Sequence, residues 1–155
     1  KTLHCCMHEH YEDCPWREQA LYNMDSRNAM LFTYLAFGDF DFARANLSLM
    51  SKGLREDGLL NICFPSGVHI PIPSFCTMYP VQVCEYIENS GDLSILDEVF
   101  PACESIVTTF IKRIDEKSSL IYQFPAPYWN FYEWTNGSAD AIPTQLKYVY
   151  LRCCF

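Results

Sequence analysis

Three carboxylates, Asp13, Glu18 and Asp25, fall in one short stretch at 13–25, reading DCPWREQALYNMD. Arg17 sits beside the middle acid, and Trp16 and Tyr22 bring aromatic rings to the same stretch. Nowhere else in the 155 residues are acids, a guanidinium and aromatics packed so closely. Such a set suits the acid half of a sugar-cleaving site. One carboxyl protonates a departing oxygen, while others accept hydrogen bonds from hydroxyls.

Those residues need a scaffold, and the composition supplies one. The length is that of about one domain. Half the residues are hydrophobic and 15% are aromatic, enough for a substantial core. A net charge of -8 without a basic patch argues against nucleic acid and anionic membrane as partners. No apolar run approaches the roughly 18–20 residues of a membrane span. An acidic, aromatic-rich chain fits a neutral ligand such as a sugar. Nine cysteines, an odd number with adjacent pairs at Cys5–Cys6 and Cys153–Cys154, make an awkward disulfide framework. Buried reduced thiols are the expectation. With no signal segment, they favour a cytoplasmic setting. The chain begins at Lys1 and ends inside an apolar run, so both ends look cut.

The periodicity predicts mainly helices. Residues 2–11 lack helical spacing and read as an extended segment leading into the acid loop, where Pro15 biases Cys14 away from helix. Asp25 or Ser26 caps a helix with apolar positions at Met30, Leu31, Tyr34, Leu35 and Phe37, stopped by Gly38. Asp39 caps a second, carrying Phe42, Ala45, Leu47, Leu49, Met50 and Leu54. A turn at 56–58 leads to a short strand or extended segment at 59–64 and an ordered Pro-rich loop at 65–73. Ser74 caps a third helix running to about Asn89, with Pro80 in its first turn or kinking it. Residues 90–92 stop that helix and cap a short one at 93–99. Pro101 then opens a longer one, with Ile106, Val107, Phe110, Ile111 and Ile114 on its apolar face. After a turn at 115–119, Pro125 and Pro127 break the run at 120–134 into strand and loop. Asn136-Gly137 is a turn, and a last helix begins near Pro143 with Leu146, Val149, Tyr150 and Cys153 on one face. Stacked helical hairpins with decorated loops fit this order.

The stretch at 8–28, HEHYEDCPWREQALYNMDSRN, resembles the catalytic region of the α-L-rhamnosidases of glycoside hydrolase family 78. Asp-Cys-Pro-x-Arg, an acid at once after it and a further Asp a few residues on are carried here by Asp13, Arg17, Glu18 and Asp25. The later run at 129–134, WNFYEW, resembles the acidic Trp-containing segment that lines the rhamnose pocket, with Glu133 where many members have Asp. The resemblance implies an (α/α)6 barrel and inverting hydrolysis of terminal α-L-rhamnosides. The chain would be a single incomplete domain at 1–155, the N-terminal portion of that barrel, with the remaining half in the parent chain. The family's general base is a Glu that no residue here matches. A non-catalytic sugar-binding or degenerate hydrolase fragment is the alternative.

Inverting hydrolysis holds an acid and a base roughly 6.5–9.5 Å apart. Glu18 is the choice for the acid. An unperturbed Glu ionises near about 4.3, so it must be raised to keep its proton near neutrality. Asp13 and Asp25 supply like charge that raises it, and Arg17 pulls the other way. The plainer alternative is a solvated acid at a helix start. Asp13 and Asp25 accept hydrogen bonds from sugar hydroxyls, and Asp25 can cap a helix as well. Arg17 binds a hydroxyl or orients a neighbouring carboxylate. Trp129 and Trp134 form an apolar wall or pack in the core. Tyr79 is a weaker pocket candidate, better read as core. In an extended segment His4, Cys6, His8 and His10 would share one face, as zinc ligands do, but one strand does not close a tetrahedron. No metal and no cofactor are expected, and there is no Gly-rich phosphate loop.

Overall fold

The computed structural model describes residues 1–131 and residue 134. Glu133, the turn at Asn136-Gly137 and the last expected helix lie outside the described residues. Among the described residues five α-helices follow in order: α1 (Asp25–Phe37), α2 (Asp41–Ser51), the single turn α3 (Pro73–Cys76), α4 (Met78–Ser90) and α5 (Leu96–Ile111). Among the described residues there is no continuous strand. Isolated antiparallel bridges join Met7 to Tyr11, Tyr22 to Cys63, Leu54 to Leu60 and Ile114 to Ile121. No helix is long and apolar enough to cross a membrane, among the described residues.

Glycines end two of the helices. Gly38 at φ 63° and Gly91 at φ 74° take the left-handed conformation, and their N–H groups return to Tyr34 O at 3.2 Å and Ile87 O at 2.8 Å. A side chain would strain that backbone, which is why glycine stops a helix here. The starts differ from expectation. Asp25 is the first residue of α1, not its cap, and neither it nor Ser26 caps with its side chain. Asp39 Oδ1 accepts the Asp41 N–H at 3.0 Å, but Asp39 stands one residue ahead of the cap position, which Phe40 occupies. The third helix is split at Thr77, so Pro73 opens α3 and Pro80 is the third residue of α4. A first-turn N–H has no intrahelical partner, so Pro80 costs nothing there. The expected break between 99 and Pro101 is absent. A 3-10 turn, Leu93–Ile95, capped by Asp92, runs into one continuous α5 with Pro101 inside it. Pro101 and Asp97 are both exposed, so water can take the carbonyl that lost its donor.

The apolar faces meet in one core. Met30 and Tyr34 come from α1, Ala43, Leu47 and Met50 from α2, Tyr79, Val83 and Tyr86 from α4, and Val99, Ala102, Ile106 and Phe110 from α5. Steps of three and four along each helix put these on one side. Each large apolar side chain so buried contributes about 1.5–3 kcal/mol before chain entropy is counted. Tyr79 is fully buried, with its hydroxyl donating to Leu47 O at 2.8 Å, so it belongs to the core and not to a pocket. Leu35 is the reverse case: it was expected on the buried face and is 87% exposed, one 100° step away from Tyr34. Ile111 and Leu54 likewise face outward.

The N-terminal segment is not extended. Leu3–Cys6 form a 3-10 turn, and the chain doubles back so that Met7 bridges Tyr11. Asn46 holds this return: its Oδ1 accepts the Tyr11 N–H at 2.9 Å while its Nδ2 donates to Phe42 O at 2.7 Å. Of the thiols, Cys6, Cys63 and Cys76 are buried as expected, whereas Cys5 and Cys84 are exposed.

Candidate active site

The acid loop is pinched shut at its base. Asp13 N–H donates to Ala20 O at 3.1 Å, and Asp13 Oδ1 accepts the Ala20 N–H at 2.9 Å. Pro15 keeps the loop out of helix, and Gln19 absorbs the reversal at φ 50°. Beyond the pinch a buried polar knot fixes the start of α1. Asn23 Nδ2 donates to Asn61 O at 2.8 Å, Gln82 Nε2 donates to Asn23 O, and Ser26 Oγ donates to Gln82 Oε1 at 3.1 Å. Leaving any of these buried groups unpaired would cost about 1–3 kcal/mol. Ser26 therefore serves as an internal tie. Nothing in its spacing distinguishes that role from a cap.

Across from the loop stands an aromatic cluster. Trp129 N–H donates to Pro71 O at 3.2 Å, and Ser74 Oγ donates to Phe131 O at 2.6 Å, which explains why Ser74 is not a cap. The Trp129, Phe131 and Trp134 rings lie 4.9–5.8 Å apart, and Phe75 meets Phe131 at 6.0 Å. Farther down the segment, Tyr128 donates its hydroxyl to Asp57 Oδ2 at 3.0 Å, and Asp57 is gripped by Arg55. Phe131 is the buried member at 7% exposure, while Trp129 and Trp134 keep 37% and 79%. The two tryptophans are thus surface walls, not core.

Between loop and cluster lies a recess of about 790 Å³. All six described candidates line it: Asp13, Arg17, Glu18, Asp25, Trp129 and Trp134. Tyr22, Met24, Ile62, Ile72, Phe75 and Phe131 complete the lining. Of these Tyr22, Met24 and Phe131 belong to the stretches that stand out in the sequence. The rest, Ile62, Ile72 and Phe75, come from loop segments and from α3, whose approach is a tertiary matter. Another recess of about 590 Å³, between the 56–58 turn and α5, mixes Glu56, Glu104, Lys112 and Arg113 and has no aromatic ring. It lacks the means to hold a sugar face.

The electrostatics depart from expectation at Glu18. Arg17 Nη2 lies 2.7 Å from Glu18 Oε1, and Cys14 Sγ donates to Glu18 Oε2 at 3.3 Å. The Arg17 guanidinium, with Cys14 and Asp13 hydrogen bonding beside it, holds the Glu18 carboxyl down at about 2. The expected upward push from Asp13 and Asp25 does not govern it: Arg17 makes direct contact, Asp13 lowers the carboxyl by a hydrogen bond, and loss of water is what opposes them. Asp25 moves the other way: loss of water raises its carboxyl, its own backbone N–H opposes, and the charges of Asp13 and Glu18 add to the rise.

The histidine cluster does not assemble as a metal site. His4 packs on Phe37, His8 Nδ1 pairs with Glu12 Oε1 at 2.7 Å, and His10 Nδ1 meets Tyr11 O at 3.2 Å. The turn at Leu3–Cys6 destroys the shared face. Donor atoms of Asp13, Cys14 and Glu18 do lie within 4.8 Å of one another. Asp13 Oδ1 and both Glu18 oxygens already have protein partners, so hydrogen bonds alone account for that trio.

This arrangement has relatives. The structure is similar to that of the GH78 family rhamnosidase of Bacillus sp. GL1, with 25% identity and a TM-score of 0.86 over 98% of this chain and 16% of that one. It is also similar to the rhamnosidase from Klebsiella oxytoca with rhamnose bound, with 23% identity and a TM-score of 0.83 over 98% of this chain and 30% of that one. The chain thus spans 16% and 30% of the lengths of these two proteins. No curated protein matches it. The shared architecture makes the described helices part of an α/α toroid. Residues 1–150 match the bacterial alpha-L-rhamnosidase 6 hairpin glycosidase domain, and the chain belongs to that family of glycoside hydrolase domains.

Proposed function

We propose that this chain carries the general-acid half of a site that hydrolyses terminal α-L-rhamnosides with inversion, Glu18 being the acid. The observation that carries the reading is the recess itself, where Glu18 shares one cavity with Asp13, Arg17 and Asp25 and faces Trp129 and Trp134. Asp13 and Asp25 accept from sugar hydroxyls, Arg17 donates to one, and the tryptophans cover the sugar's apolar face. Glu133 belongs to the same segment and is assigned to the sugar as well. The activating base is a Glu in another part of the parent chain, about 6.5–9.5 Å from the acid across the sugar. This chain alone, the N-terminal portion of the barrel, would then turn over almost nothing. Exposed thiols at Cys5 and Cys84 suit a reducing, cytoplasmic setting.

An ionised Glu18 cannot donate a proton, so substrate binding must raise its carboxyl. Arg17's side chain is 83% exposed and its ion pair with Glu18 is weak and screened by salt. A sugar hydroxyl can draw the guanidinium away, and a sugar filling the recess removes water from the carboxyl. Both raise it.

A second reading, sugar binding without hydrolysis, draws on the same low carboxyl. The test uses the protein at its full natural length. Turnover of a natural rhamnoside by Glu18→Gln should fall about 10²–10⁴-fold, the usual worth of a positioned acid. Full turnover by that variant removes Glu18 from the mechanism. Rhamnose binding with no turnover by the unaltered protein favours the second reading.

A further inference from the structure

Glu18 is held by a thiol as well as by a guanidinium, and the two grips differ in kind. Cys14 Sγ donates to Glu18 Oε2 at 3.3 Å and accepts the Glu18 backbone N–H at 3.4 Å. Both contacts close over residues 14–18, and the pinch between Asp13 and Ala20 fixes the base of that ring. Cys14 is half-buried, whereas Arg17 reaches in from solvent to Oε1.

An acid must carry its proton on one oxygen and keep the other anchored. Arg17, a donor only, competes with a proton for Oε1. A neutral S–H does not compete. It donates to Oε2 whether that oxygen belongs to a carboxylate or is the carbonyl oxygen of the protonated acid. We propose that Cys14 is a positioning residue for proton transfer, its thiol anchoring Glu18 Oε2 so that Oε1 faces the glycosidic oxygen. In that step the Oε1–H bond breaks as the new O–H bond forms on the glycosidic oxygen. The sugar C1–O electrons pass to that oxygen while a water, deprotonated by the base elsewhere in the parent chain, bonds to C1, leaving Glu18 as carboxylate. The inference rests on the reading of Glu18 as the acid.

A leaving group that needs no proton separates positioning from general damage. Nitrophenolate departs unaided, while an alkoxide needs the acid. The experiment compares kcat for methyl α-L-rhamnoside and 4-nitrophenyl α-L-rhamnoside, using the protein at full natural length. In Cys14→Ala the loss on the methyl substrate should exceed that on the nitrophenyl substrate about tenfold. Cys14→Ser, which restores a donor, should bring the ratio most of the way back. If Cys14→Ala does not fold, Cys14→Val, similar in volume and without a donor, carries the same expectation. An unchanged ratio in the donor-less variant, while Glu18→Gln does change it, overturns the role of Cys14 and leaves the acid reading standing. An unchanged ratio in Glu18→Gln overturns both.

Discussion

Glu18 is engaged on both oxygens, Oε1 by Arg17 and Oε2 by Cys14, and its chemistry depends on which grip yields. The residue types and spacing of the motif were legible in the sequence: five of its neighbours in the recess, Asp13, Arg17, Asp25, Trp129 and Trp134, are candidates that the sequence supplies. The charge state was not legible. Whether Arg17 or the two aspartates govern Glu18 depends on which side chain touches it, and spacing carries no rotamer. This gives a direct prediction. Arg17→Met removes the first cause of the lowered carboxyl, so Glu18 should rise from about 2 toward the ordinary carboxylate range, read by ¹³C NMR titration. The sign follows from linkage. A depressed carboxylate adds stability above its unfolded pKa and loses it as pH falls through about 2, so the variant should lose less stability on acidification. For an acid catalyst the same rise moves the alkaline limb of kcat/KM to higher pH. A Glu18 that titrates unchanged in Arg17→Met contradicts the assignment of Arg17 as its controlling partner.

Helix ends were readable where glycine or a turn had to be, at Gly38 and Gly91, and less so where proline was the cue. Pro80 and Pro101 are both tolerated, one in a first turn and one on an exposed side. The doubling back of residues 3–11 escaped the sequence, because Asn46 pins Tyr11 from 35 positions away. One turn shows how tightly elements approach. Gly58 sits at φ 85°, and a Cβ added there would lie 2.2 Å from Thr109 Oγ1 on α5. Gly58→Ala should therefore destabilise by about 1–3 kcal/mol, measured by urea unfolding. Adding Thr109→Ala should recover part of the loss, since it clears the clash and leaves the backbone strained. A neutral Gly58→Ala would contradict this packing.

As a whole, the described residues bury a main core and a smaller cluster of Ile62, Cys63, Ile72 and Phe131, and leave other apolar side chains outside them. Phe32 at 61% and Leu35 at 87% exposure share the outer side of α1, and Trp16 is 90% exposed on the acid loop. Large exposed apolar side chains such as these invite association. The isolated chain should self-associate with rising concentration, despite its charge of -8, when followed by light scattering. Phe32→Lys with Leu35→Lys should lower that association severalfold without unfolding α1. Equal association of the double variant would place the sticky surface elsewhere.

The claim on which the account turns is that Glu18 delivers a proton to the leaving oxygen. It is tested most directly by kcat/KM of Glu18→Gln, at full natural length, across aryl α-L-rhamnosides whose phenols span a wide range of pKa. The account predicts near-native rates for the most acidic phenols and losses that steepen toward about 10²–10⁴-fold as the phenol pKa climbs. An equal loss across the whole series, or none at all, would contradict it.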